Sequence, residues 1–381
     1  MRISLFKIYC FFFLLTFTNS MFPWYMWNGA IDLMVMMFMA LISIVFFIQF
    51  RTSFSLTKDK LIQGSLIAVL FIQGSTRLSV FGNINMLMTF ISVMVLLMFK
   101  EDIKIRLLDY LTKWFSILLL VSLIAYILFF LGMHISPSYI EYDDGRYPSL
   151  NYFFFILPQE NLTDYFRFRS IFMEPGHMTM GVIPLIMANR FNLKNKYVLI
   201  LFIVELFTFS LAGYITLAVG LLLFYHRKPK YLLLFASGIL AVIGIVNALG
   251  YSDLLDTFLW SRLEVTDEGT IAGNNRVTSA FDAVFHQFMS SDKVLFGDPN
   301  IDLTVWGGIS GYKVYLVQCG IIGMMFAILV YVYNFMLYKK KEIFYFTIIL
   351  LLLLYQNSYP LWCAMIFTYI IGSSKLQTSN I

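Results

Sequence analysis

Residues 165–181 read YFRFRSIFMEPGHMTMG and hold the groups best suited to chemistry. Arg167 and Arg169 can grip phosphate oxygens through a planar, bidentate guanidinium. Glu174 and His177 are able to take a proton from a hydroxyl. Pro175 favours the first turn of a helix, where its missing N–H leaves nothing unsatisfied. The helix that starts there turns its free N–H groups and positive dipole end toward the two arginines. Such a terminus suits a phosphate or pyrophosphate. Each residue also has a plainer reading: Glu174 complementing the dipole, His177 packed at a membrane surface, the arginines on lipid headgroups. Four such groups at one helix start favour function.

A second constellation lies in residues 276–289, RVTSAFDAVFHQFM. Apolar groups at 277, 280, 281, 284, 285, 288 and 289 form one face of a helix. Arg276, Ser279, His286 and Gln287 share the other face, and Asn275 can cap it. The spacing predicts an amphipathic helix at an outer membrane surface, polar side toward a cavity. Arg276 then supplies the second arm of a pyrophosphate clamp. His286 and Gln287 are secondary candidates, and for His286 a solvated polar face is the plainer account. Glu205 stands in the middle of VLILFIVELFTFS. An intramembrane carboxylate is a functional hypothesis by default, but Glu205 is read as mainly structural, either protonated or paired within the bundle. Asp32, Arg77, Asn83 and Asn85 fall near external helix ends and could line the same cavity.

Membrane helices must position these groups. Of 381 residues, 60% are hydrophobic and 13% charged, against globular norms of roughly 45–50% and 25%. A soluble domain this apolar could not cover its own surface, so a soluble enzyme, a disordered chain and a nucleic-acid binder are excluded despite the net charge of +5. Apolar stretches at about 3–19, 30–50, 61–74, 80–99, 114–132, 176–189, 197–210, 211–226, 231–249, 312–337, 343–356 and 358–372 predict an all-α polytopic membrane protein. About 12 transmembrane helices are expected, or ten if the pairs 197–226 and 343–372 each cross less often. Strict alternation with both termini cytoplasmic puts most of the 27 basic residues inside. Two long loops, 133–175 and 250–311, then face outward and carry most of the acids. Residues 1–381 form a single membrane domain in this reading. The first twenty residues could also be a cleaved secretory signal, but an uncleaved anchor is favoured because no clear A-x-A site follows. Cys10, Cys319 and Cys363 lie in apolar runs without the spacing of a metal site or a disulfide framework. Neither G-x-x-x-x-G-K-[ST] nor G-x-G-x-x-G occurs, so the energy of any reaction must lie in the substrate.

RFRSIFMEPGH resembles the Arg…Glu-Pro segment of O-antigen and capsular polysaccharide repeat-unit polymerases (Wzy-type), members of the O-antigen ligase superfamily. In those proteins the segment also ends a large periplasmic loop and leads into a transmembrane helix. LFTFSLAGYITLAVGLLLFY resembles their next helix pair. Arg167 fits the family arginine best, with Arg169 a close rival. Arg276, Gly297 and CGIIGMMF, with Gly320 and Gly323, resemble the arginine, glycine and G-x-x-G helix start of the family's second loop. The ligases carry a His-Asn pair before that last helix, and GISGYKVYL has none, which favours polymerase over ligase.

The resemblance implies a GT-C-like fold and glycosyl transfer at the outer leaflet of the bacterial inner (cytoplasmic) membrane, with the active site facing the periplasm. A growing glycan on undecaprenyl pyrophosphate would pass onto a new lipid-linked repeat unit. It implies no cofactor and no metal. The partners would be undecaprenyl-pyrophosphate-linked oligosaccharides, the lipid bilayer, and a chain-length regulator and flippase, with no nucleic acid. The alternatives are an O-antigen ligase and, from another class, a flippase or transporter of lipid-linked oligosaccharide. A transporter should show internal repeats, helices broken at mid-membrane and small external loops.

Overall fold

The computed structural model describes residues 4–27, 29–75, 80–142, 146–159, 167–227, 229–248, 250, 256, 261, 264, 279–298, 301, 311–356 and 361–378. The chain is mostly helical. Among the described residues nine α-helices precede the second long loop: α1 (Leu5–Asn19), α2 (Ala30–Gln49), α3 (Lys58–Ser75), α4 (Val80–Met98), α5 (Glu101–Phe130), α6 (Pro175–Ala188), α7 (Lys196–Leu206), α8 (Leu211–Tyr225) and α9 (Pro229–Ala248). Then come α10 (Ser279–Met289), α11 (Gly311–Tyr338), α12 (Lys341–Gln356) and α13 (Cys363–Thr378). A helix forms in each of the twelve apolar stretches, and the amphipathic stretch gives α10.

The helix starts follow from local chemistry. Ser4, Asn195 and Ser210 cap α1, α7 and α8, each side chain accepting from a backbone N–H of the first turn. Pro175 sits in the first turn of α6. Among the described residues three helices, α2, α5 and α11, are long and apolar enough to cross a membrane. On α2, Met34, Met37, Phe38, Leu41, Ile44 and Ile48 are exposed three or four residues apart. That stripe is what contact with lipid requires and contact with water penalises. The 11 residues of α7 span only about 16 Å, against a hydrocarbon core of about 30 Å.

Helices α6 and α13 lie at the centre, nearly every residue buried. They approach closely because Gly372 faces Ala188, where a Cβ would come within 2.8 Å of the alanine's own. Helix α1 packs on α13 and on α5: Phe13 stacks on Phe367 of α13 at 4.8 Å, and Phe17 meets Phe115 of α5 edge-on at 5.2 Å. Cys10, Cys319 and Cys363 are buried and free.

Residues expected on one side of the alternation meet at one end of the bundle. There Lys60 bonds Ser55 and the Phe99 carbonyl, Lys104 pairs with Glu101, and Lys375 pairs with Asp109. At the other end, Asp32 accepts from the amides of Asn19 and Asn85.

Two features correct the expectation. The chain is not all-α: within the first long loop β1 (Ser138–Tyr142), β2 (Arg146–Asn151) and β3 (Ile156–Pro158) form an antiparallel sheet in the order β1-β2-β3. And α11 is not continuous. Gly320 takes φ 66°, ψ −177°, which breaks the helix into two pieces. The carbonyl of Cys319, before the break, accepts from Gln73 Nε2 of α3 at 2.8 Å.

Candidate functional site

The segment 167–174 connects the sheet to α6, and backbone bonds fix it on both sides. Phe168 N–H donates to the Phe207 carbonyl in the α7–α8 turn at 3.0 Å. Met173 N–H donates to Phe22 O at 3.0 Å, Trp24 N–H donates to Ile171 O at 2.9 Å, and Pro23 bridges Phe172. The loop between α1 and α2 thus runs beside the segment as a short ribbon. Aromatic rings hold the other flank: Phe168 packs edge-on against Tyr126 of α5 at 5.2 Å, and the Phe172 ring lies tilted against Phe115 at 6.2 Å.

The structure separates the two arginines. Arg169 is buried, 8% exposed. Its Nε donates to Ile156 O at 3.2 Å, Nη1 to Met173 O at 2.8 Å and Nη2 to Ser149 Oγ at 3.3 Å. Its fork is spent on the sheet and on the end of its own segment, which is a bracing role rather than the expected grip on phosphate. Arg167 is half-buried. Its guanidinium lies within electrostatic reach of the Tyr214 hydroxyl on α8.

Glu174 is the N-cap of α6, half-buried and extended at φ −138°, ψ 150°, with no side-chain cap bond. Its carbonyl receives the first helical N–H groups, from His177 and Met178. The His177 ring stands between two aromatic residues, 5.3 Å from Phe22 and 5.3 Å from Trp362, the latter edge-on. Phe22 and Trp362, from the α1–α2 loop and the start of α13, are part of the site that spacing alone did not reveal. The structure therefore places Glu174 and His177 at the start of one central helix, with Arg167 in the segment that leads into it, where its neighbour Phe168 is fixed to the α7–α8 turn.

The second constellation is only partly described. Arg276 lies outside the described residues. His286 and Gln287 are exposed on α10, and Phe281, Phe285 and Phe288 of its opposite face are buried, forming a small core with Val317. His286 sits in the last turn of α10, where a cation complements the helix dipole. Lys313 at the start of α11 pairs with Asp282 and lies over the Phe285 ring at 5.0 Å. The glycines matched to the second loop have a packing role. At Gly297 (φ 84°) a Cβ would strike the Gln318 carbonyl, and at Gly320 it would strike that of Leu295. The loop is pressed against the break in α11 there, and Asp298 N–H donates to Val317 O at 2.8 Å. Among the described residues no three His, Cys, Asp or Glu side chains cluster as metal ligands would.

No family model, curated protein or solved structure matches this chain.

Proposed function

We propose that this chain is a polysaccharide polymerase of the Wzy type in the bacterial inner membrane, crossing it ten to twelve times in a GT-C-like arrangement with the site on the periplasmic side. The observation that carries the reading is that Glu174 and His177 stand at the N-terminal end of α6, with Arg167 in the segment that leads into it. The acceptor sugar hydroxyl attacks the anomeric carbon of the growing glycan. The bond from that carbon to undecaprenyl pyrophosphate breaks, and the lipid pyrophosphate leaves with the electron pair. Arg167, Arg276 and the α6 terminus stabilise the leaving charge, while Glu174 or His177 takes the hydroxyl proton. A pyrophosphate leaving group needs no proton from the protein.

Deletion of the gene followed by gel analysis of surface polysaccharide tests the proposal. Loss of the ladder with a single-repeat product retained is the expected result. One observation favours a second reading, transport of lipid-linked oligosaccharide: α11 is broken at Gly320, as transporter helices are near their binding sites. Loss of every repeat on deletion would select that reading, or the ligase, over the polymerase.

A further inference from the structure

We infer that Glu205 is a positioning residue which keeps its proton and ties α6 to the α7–α8 turn, setting Glu174 and His177 in register with Arg167. The claim about register rests on the proposed function, whereas the tie itself stands on geometry.

Glu205 lies in the last turn of α7, 0% exposed, and no Lys, Arg or His among the described residues pairs with it. Its Oε1 is 2.7 Å from Thr179 Oγ1, and that hydroxyl is also 3.2 Å from the Pro175 carbonyl. Its Oε2 is buried with no hydrogen-bond partner. The threonine hydroxyl has one proton to give. An ionised Glu205 would rest a buried charge on that single bond and leave its other oxygen bare, an arrangement that interiors penalise heavily. With its proton kept, Glu205 donates to Thr179 Oγ1, Thr179 donates to Pro175 O, and only a neutral carbonyl oxygen goes unmet.

This chain of bonds links the parts of the site. Thr179 is on the first turns of α6, two residues after His177 and five after Glu174. Above Glu205, the α7–α8 turn is laced by Thr208 Oγ1 donating to Glu205 O at 2.8 Å, Ser210 N–H to Thr208 Oγ1 at 3.1 Å, and Gly213 N–H to Ser210 Oγ at 3.2 Å. Phe207 of that turn holds Phe168, next to Arg167. Helix α8 joins the junction through Gly213, where a Cβ would strike Glu205 Oε1 and come within 3.1 Å of Thr179 Oγ1.

The test uses the full chain, in a deletion strain for polymer and in lipid nanodiscs for amide exchange. Glu205→Gln retains a donor and an acceptor, so it should preserve both the ladder and the protection of amides 175–180 and 207–214. Glu205→Leu should speed exchange in both segments and cut polymer formation on the order of 100-fold, the effect of a misplacement near 1 Å. Should Glu205→Leu fail to accumulate, Thr179→Val removes the same bond and carries the same expectation. Wild-type exchange in the leucine or valine variant would overturn the tie. Loss of polymer in Glu205→Gln with exchange unchanged would overturn the positioning role, because the acid itself would then be reacting. If the deletion strain keeps its ladder, the polymerase reading falls, and amide exchange alone decides the tie.

Discussion

At least three N–H groups of Arg169 are directed at Ile156 O, Met173 O and Ser149 Oγ. Arg169→Ala should therefore cost about 1–3 kcal/mol for each buried acceptor left unmet. The expected signs are less protein in the membrane and a lower melting temperature, with Arg169→Lys little better because an ammonium cannot reproduce the fork. Arg167→Ala should instead leave protein amount and melting temperature unchanged while abolishing the ladder. A fall in stability equal to that of Arg169→Ala would remove Arg167 from the clamp. Spacing could not tell the two apart, since residues two apart in an extended segment face the same way. The distinction arises because the sheet brings Ile156 O and Ser149 Oγ to Arg169, partners that are distant in sequence. Glu174 and His177 were legible at their helix start, whereas Phe22 and Trp362 come from distant parts of the chain and carry no signal in sequence.

Among the elements, the helices were the readable part, because apolar runs bounded by Lys, Arg or Gly declare themselves. The sheet was not. SYIEY, RYPSLN and ILP are short and only weakly alternating. They are held by Arg169 and by rings from α5, with Tyr152 4.8 Å from Phe129 and Phe155 5.8 Å from Tyr126. The break in α11 was hidden as well, because a G-x-x-G start reads equally as a helix. Both Gly297 and Gly320 combine positive φ with a backbone carbonyl where Cβ would lie. Gly297→Ala and Gly320→Ala should each destabilise the protein by about 1–3 kcal/mol or more. Gly29→Ala, with open space around it, should change little. Equal melting temperatures for the three variants would remove the packing role given to Gly297 and Gly320.

For the molecule as a whole, the alternation of charge along the sequence proposes one topology, with both termini cytoplasmic. All three native cysteines are buried, so single introduced cysteines should report on a quiet background. A membrane-impermeant maleimide applied to intact spheroplasts should label a cysteine at exposed Phe153 and spare one at exposed Lys339. The reverse pattern would invert the protein in the membrane and move the proposed site to the cytoplasm.

The break at Gly320 has a consequence for how the chain can be recombined. Residues 295–297 press on the backbone at 318–320, and Gln73 of α3 closes the gap from the other side. The second long loop is therefore not an exchangeable cassette. A chimera that imports residues 250–311 from another chain must bring a matching interruption in α11 and a side chain to mend it, or the new loop will have nowhere to seat.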